Sequence, residues 1–182
     1  MTQDFPTKAE IFEALQQIRA FLEPKWRDWR ASNESHRGDP GVVSFRMCGF
    51  SSLFLREALM ADFPAGAWAV KGGCSSFHPA DPGWTGDGER GRGGMVDAAG
   101  AWHDHYWVTG TCIDGPVILD LTADQFGHDP IIVTDKGDSR YLRNWRDSHV
   151  RRHMDGVKTR VGVWMSEWQM DLEENESLAL GM

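Results

Sequence analysis

The sequence predicts a single domain of mixed class, with helices first and strands after. Three observations carry this. Apolar residues recur at helical spacing in two stretches of the N-terminal third. Two later runs have strand character and are joined by a short glycine-bounded link. The 182 residues suffice for one real core and show no internal repeat.

Thr7-Lys8-Ala9-Glu10 has the capping-box pattern, with Thr7 capping the backbone and Glu10 reaching back. Ile11, Leu15, Ile18 and Leu22 then keep helical spacing. Pro24 is expected to end or kink that helix, leaving Trp26 and Trp29 on a short second one. Residues 32–41 are polar, rich in turn formers and read as a loop. Helical spacing returns over 45–61, with Met47, Phe50, Phe54 and Ala58 on one side and Cys48 in the first turn.

Residues 67–71 are expected to form a strand. Residues 72–100 carry nine glycines in 29 positions, a density that disfavours regular structure. A loop so long in a compact domain points to function, and a mobile flap over an active groove is the expectation. Residues 102–109 alternate, setting His103, His105 and Trp107 on one face and Tyr106 and Val108 on the other. Residues 116–121 form a second, buried strand. A four-residue loop at 111–114 would set His105 opposite Asp120; a tight Asp114-Gly115 turn would set Asp120 opposite Thr109. Further on, 131–134 reads as a strand and 140–154 as a helix turning Tyr141, Leu142 and Trp145 inward. Residues 160–165, with Val161, Val163 and Met165 alternating, read as a last strand. The acidic tail, 171–182, is expected to fray.

Composition excludes several function classes. A formal net charge of −8 argues against a general nucleic-acid binder, since polyanions favour basic surfaces. No apolar run approaches the roughly 20 residues of a membrane helix, and the first residues lack a secretory apolar segment. A cytoplasmic protein without membrane partners is expected. Three cysteines cannot all pair within the chain, and no C-x-x-C motif is present, which favours a reducing compartment over a structural zinc site of that type. Nine tryptophans supply core and groove walls.

The chemistry concentrates on three residues. A thiolate is a strong nucleophile, and a helix start and a neighbouring imidazolium both favour it. Cys48 has the helix start, and His105 would supply the imidazolium. An acid on the far ring nitrogen fixes the histidine's tautomer and orientation, and Asp120 is placed for that. The Cys48 N–H at the helix start is free to donate to an oxyanion; a second donor is not identifiable. The rival readings are plain. Cys48 is otherwise a buried core thiol. His103 competes with His105 from the same face, and Asp120 is otherwise a turn or salt-bridge acid. Asp104 and Asp124 read as exposed, and Gln125 and Thr122 as structural. Cys74 and Cys112 lie in glycine-rich loops with no following helix. His103, His105 and Asp120 or His128 also make a set of borderline zinc ligands, and His149 with His153 lie at i, i+4.

The ordered trio of Cys48 on a helix, His105-Tyr106-Trp107 on a strand, and Asp120-Leu121-Thr122-Ala123-Asp124-Gln125-Phe126 after it resembles the transglutaminase-like branch of papain-like cysteine enzymes, over roughly residues 45–134. Fourteen residues separate His105 from Asp120. The resemblance implies an α+β, papain-like fold, a catalytic helix packed on an antiparallel sheet. It also implies acyl transfer through a thioester, to water or an amine, on a peptide, protein or small amide substrate. Leu121 stands where larger transglutaminases usually have Pro, so hydrolysis or deamidation stands beside cross-linking. No cofactor and no metal ion are expected. The alternatives are a catalytically silent binding domain of the same fold and, after it, a zinc-dependent hydrolase.

Overall fold

The computed structural model describes residues 5–33, 41–76 and 91–180. Among these residues the fold is α+β: three helices pack on one face of an antiparallel sheet, and a smaller sheet covers part of the other. Helix α1 is Lys8–Ser32, and Thr7 and Glu10 close the expected capping box at its start. Pro24 neither ends it nor separates a second helix, and Trp26 is buried on the same helix as Ile11, Leu15, Ile18 and Leu22. Proline removes one donor from the ladder, and burial of this long apolar face outweighs that loss.

Helix α2, Cys48–Asp62, begins at the cysteine rather than at Phe45. It drives Leu53, Phe54, Leu55, Ala58 and Leu59 into the main core, between α1 and the sheet. Strands β1 (Ala69–Gly73), β4 (His105–Cys112), β5 (Gly115–Asp120) and β6 (Ile132–Asp135) form the larger sheet in the order β1-β4-β5-β6. Strands β2 (Gly94–Val96), β3 (Trp102–His103) and β7 (Tyr141–Leu142) form the smaller, in the order β3-β2-β7. The 102–109 segment is therefore not one strand: it breaks at Asp104, and its two parts join different sheets. Alternation along β4 sends Tyr106 and Val108 to the helical core. It sends Trp107 to a second core with Met95, Ile118, Ile132 and Tyr141, between the sheets.

Neither the four-residue loop at 111–114 nor the Asp114-Gly115 turn forms. Cys112 pairs with Gly115 across a two-residue turn, Val108 pairs with Leu119, and one further step in this register sets Trp107 beside Asp120. Gly115, at φ +114°, supplies the backbone conformation that so tight a turn requires.

The C-terminal third differs most from the sequence reading. Residues 141–142 are strand, not helix, and α3 runs from Asp147 to Leu180. The expected strand at 160–165 lies inside α3. Val161 and Trp164 are buried while Val163 is 46% exposed, which is the outcome of a 3.6-residue period and not of alternation. Gly156 and Gly162 each weaken a helix interior by about 1 kcal/mol relative to alanine. Packing of Val150, Met154, Val161 and Trp164 into the main core overrides that. Of the acidic segment expected to fray, residues 171–180 continue this helix to its end. Residues 77–90 of the glycine-rich segment lie outside the described residues, and the flap expectation with them. Among the described residues, no helix is long and apolar enough to cross a membrane.

Phe54 is fully buried where α1, α2 and α3 meet, within ring contact of Phe21 and Trp168. Phe54→Ala is expected to lower unfolding stability by about 3–5 kcal/mol. Urea titration should show a lower midpoint at nearly unchanged slope; an unmoved midpoint would contradict this packing.

Candidate active site

The site begins in the turn that delivers Cys48. Arg46 adopts φ +61°, a left-handed conformation that costs a side-chain-bearing residue about 1–2 kcal/mol. Met47 follows with helical backbone and caps α2. The chain thus turns sharply two residues ahead of the cysteine, and three tethers hold the turn. The Met47 N–H donates to the Ser44 carbonyl at 2.9 Å. The Ser44 hydroxyl donates to Asp124. The Arg46 N–H donates to Gln125 Oε1 at 3.3 Å.

Asp124 is itself fixed by Arg19, whose Nη2 lies 2.7 Å from Asp124 Oδ2. The Arg19 guanidinium also donates to the Leu121 and Pro130 carbonyls. Asp124, expected to be exposed, is instead a half-buried anchor. Arg19 went unnoticed in the sequence although a signal was there: it falls four residues after Leu15 and eight after Ile11, on the apolar face of α1. A charge in that position must find partners once buried.

The same stretch of chain holds the acid. Asp120 ends β5 and is 2% exposed. Its Oδ1 accepts from the Thr122 N–H at 2.8 Å and the Thr122 hydroxyl at 3.1 Å. Its Oδ2 accepts from His105 Nε2–H at 2.6 Å and the Tyr141 hydroxyl at 3.0 Å. Gln125 Nε2 donates to the Thr122 carbonyl at 2.9 Å. One segment, 120–125, therefore orients the carboxylate and tethers the turn before Cys48. Thr122 and Gln125 are structural, as read from sequence; Tyr141 was not anticipated as a partner of Asp120.

His105 opens β4 and is 0% exposed. It does not sit directly opposite Asp120. In the observed register the two are diagonal neighbours on one face, and side chains as long as these span that separation. Phe126 meets the ring edge-on at 4.9 Å, and Trp107 and Tyr141 pack nearby. The other ring nitrogen, Nδ1, is buried with no well-formed hydrogen bond among the described residues. The Cys48 thiol is nonetheless close enough to act on the ring's protonation. Desolvation alone would lower the His105 pKa. The charge and hydrogen bond of Asp120, with Cys48 beside the ring, override it and push the pKa up to about 10. Burial would raise Asp120, but His105, Thr122 and Tyr141 hold its carboxyl below the ordinary value.

The rival residues fall elsewhere. His103 pairs with Asp97 at 2.7 Å and stacks on Phe126. His128 Nε2 lies 2.7 Å from the Val96 carbonyl. The Cys74 and Cys112 thiols are buried and donate to the Ser76 and Gly115 carbonyls. Asp104 is exposed as expected and accepts from the Ser75 N–H at 2.9 Å. Among the described residues, no three His, Cys, Asp or Glu side chains gather as metal ligands. A cleft of about 450 Å³ between α2, β1 and α3, lined by Leu53, Arg56, Trp68, Lys71, Val150 and Lys158, includes none of the trio.

Asn144, buried between the strands, is a further unanticipated residue. Its Oδ1 accepts from the Cys74 N–H at 2.8 Å, and its Nδ2 donates to the Cys74 and Arg92 carbonyls. It joins two points within the glycine-rich segment, Cys74 and Arg92, the first of them one residue beyond Gly73, the partner of His105 on β1. Comparison of the chain with protein-family models, curated proteins and solved structures gives no match.

The pair's contribution to stability has a defined pH window. His105 titrates from 6.5 unfolded to about 10 folded, so its share is full below 6.5 and lost as pH rises through about 10. The Asp120 share is present above 3.8 and lost as pH falls through its depressed folded value. The stability gap between wild type and Asp120→Asn should therefore narrow as pH is raised from 6.5 towards 10. Urea titrations across that range would test it, and a constant gap would refute the linkage. Tyr141→Phe removes one hydrogen bond to a buried carboxylate and should cost about 1.5–3 kcal/mol at neutral pH in the same assay.

Proposed function

We propose that this chain is a thiol-dependent acyl-transfer enzyme acting on an amide or peptide-like bond, with Cys48 as nucleophile, His105 as general base and acid, and Asp120 as the orienting residue. The observation that carries the reading is the His105 ring. One nitrogen is fixed on a buried, fully hydrogen-bonded carboxylate, and the ring lies beside the one cysteine that starts a helix. A purely structural pair would satisfy both histidine nitrogens or expose one. Here Nδ1 is buried and, among the described residues, has no well-formed hydrogen bond, while Cys48 lies beside the ring.

The chemistry follows from this geometry. The Cys48 proton passes to His105 Nδ1, where the Asp120 carboxylate favours it, so the two side chains react as thiolate and imidazolium. The sulfur attacks the acyl carbon, a C–S bond forms, and the carbonyl electrons move onto oxygen. When the carbonyl reforms, the C–N bond breaks and the amine leaves with the proton from His105. Water or a second amine then attacks the thioester in the reverse sense, and the thiol is regenerated. Asp120 stays ionised throughout and stabilises the imidazolium. An α+β architecture with the cysteine helix on an antiparallel sheet supports a papain-like, transglutaminase-like assignment.

Iodoacetamide at neutral pH is expected to alkylate Cys48 well before Cys74 and Cys112, as read by peptide mass mapping. His105→Ala should slow that labelling, and turnover of any acyl substrate, by about 10²–10⁴-fold. Equal, slow labelling of all three thiols would favour a catalytically silent domain instead.

A further inference from the structure

The first turn of α2 has a second imidazole beside it. A methyl group added at Gly49 would meet His153 Nε2 at 2.8 Å, so this nitrogen lies over the residue that follows the nucleophile. His153 comes from α3 and is exposed at its outer side. Its ring stacks on Tyr106 at 4.5 Å with planes 19° apart, and Tyr106 stacks in turn on Trp145 at 4.8 Å. Trp145 meets His149 at 4.9 Å. The strip fixes the His153 ring from beneath, and Tyr106 itself follows His105 in β4. The sequence marks His153 only by its i, i+4 spacing from His149; the fold brings it to Gly49, the residue after Cys48.

We propose that His153 is a further catalytic residue, the second oxyanion donor, whose Nε2–H works with the Cys48 N–H to hold the substrate's acyl oxygen. The inference rests on the reading of Cys48 as nucleophile. Three features suit His153 to this task. The helix start supplies backbone N–H groups on one side of the acyl oxygen but no side-chain donor of its own. Gly49 has no side chain to hold the imidazole away. Desolvation and the neighbouring His149 lower the His153 pKa, so the ring is neutral at physiological pH and donates without becoming a second counter-charge to the thiolate. Tyr106 from the sheet faces it as well, and Cys48 acts in turn on Tyr106. Burial and the nearby Cys48 push the Tyr106 pKa up, so it too stays neutral. The substrate class implied is an acyl compound with an unhindered planar carbonyl, laid across the helix start.

Two probes separate this role from nucleophile activation. Acylation by p-nitrophenyl acetate passes through an oxyanion, whereas alkylation by iodoacetamide does not. In the full chain, His153→Ala should slow the p-nitrophenolate burst about 10²-fold and leave Cys48 alkylation at the wild-type rate. His153→Gln, which restores an N–H donor, should recover most of the burst. Gly49→Ala, which pushes the ring aside, should reproduce the alanine result, with circular dichroism reporting that each variant is folded. A wild-type burst rate in His153→Ala overturns the proposal. So does an equal loss of acylation and alkylation, which would place His153 in thiol activation. Wild-type protein that shows neither burst nor preferential labelling removes the acyl-transfer reading itself, and this inference with it.

Discussion

The buried hydrogen bond between His105 and Asp120 is the constraint on which the rest of the molecule depends. An isolated carboxylate or imidazolium at that depth would cost several kcal/mol, and each would shift its pKa to escape the charge. Together, with Tyr141 and the Thr122 N–H and hydroxyl completing the shell of Asp120, they remain stable as a pair. The pair lies where β4 and β5 run between the helical core and the smaller sheet. Tyr141 arrives from β7, so the smaller sheet closes over the carboxylate as well as over its own apolar residues.

The segment following Asp120 links its carboxylate mechanically to the turn before Cys48. Thr122 binds the carboxylate, Gln125 binds Thr122 and the Arg46 backbone, and Asp124 binds Ser44 and Arg19. Five consecutive residues of chain thus relay the position of one strand end to the turn before α2. The strained Arg46 backbone is tolerable because both sides of that turn are tied down. A rigid support of this kind allows a thiol and an imidazole to meet at fixed geometry without direct bonding between their backbones.

Helix α3 does two jobs along its length. Its middle is a core element, with Met154, Val161 and Trp164 buried. Its first turns hold His149 and His153 against Trp145 and Tyr106, and Cys48 acts on the latter. Glycines at 72 and 73 make room for this arrangement: a side chain at Gly72 would strike Trp145 and Tyr106, and one at Gly73 would strike the Gly94 and Leu142 backbone. The smaller sheet approaches the larger one at the place where His105 sits.

What the sequence by itself determined was local or periodic in origin. The capping box at Thr7, the apolar stripe of α1, the apolar face of α2 and the alternation of β4 all follow from residue spacing, and so does the presence of His105 and Asp120 on one sheet face. Even the register error was harmless to that last point. A shift by two keeps side chains on the same face, so the pair formed diagonally where direct opposition had been expected. Other features came only from tertiary structure. Pro24 stays inside a helix, and residues 160–165 are helical despite their alternation, because core packing outweighs local preference by more than either costs. Arg19, Tyr141, Asn144 and His153 gain their roles from neighbours more than twenty residues away, and no local pattern encodes which distant backbone or ring will arrive there. Spacing along the chain fixes which face a side chain occupies; only the packed structure fixes what that face meets.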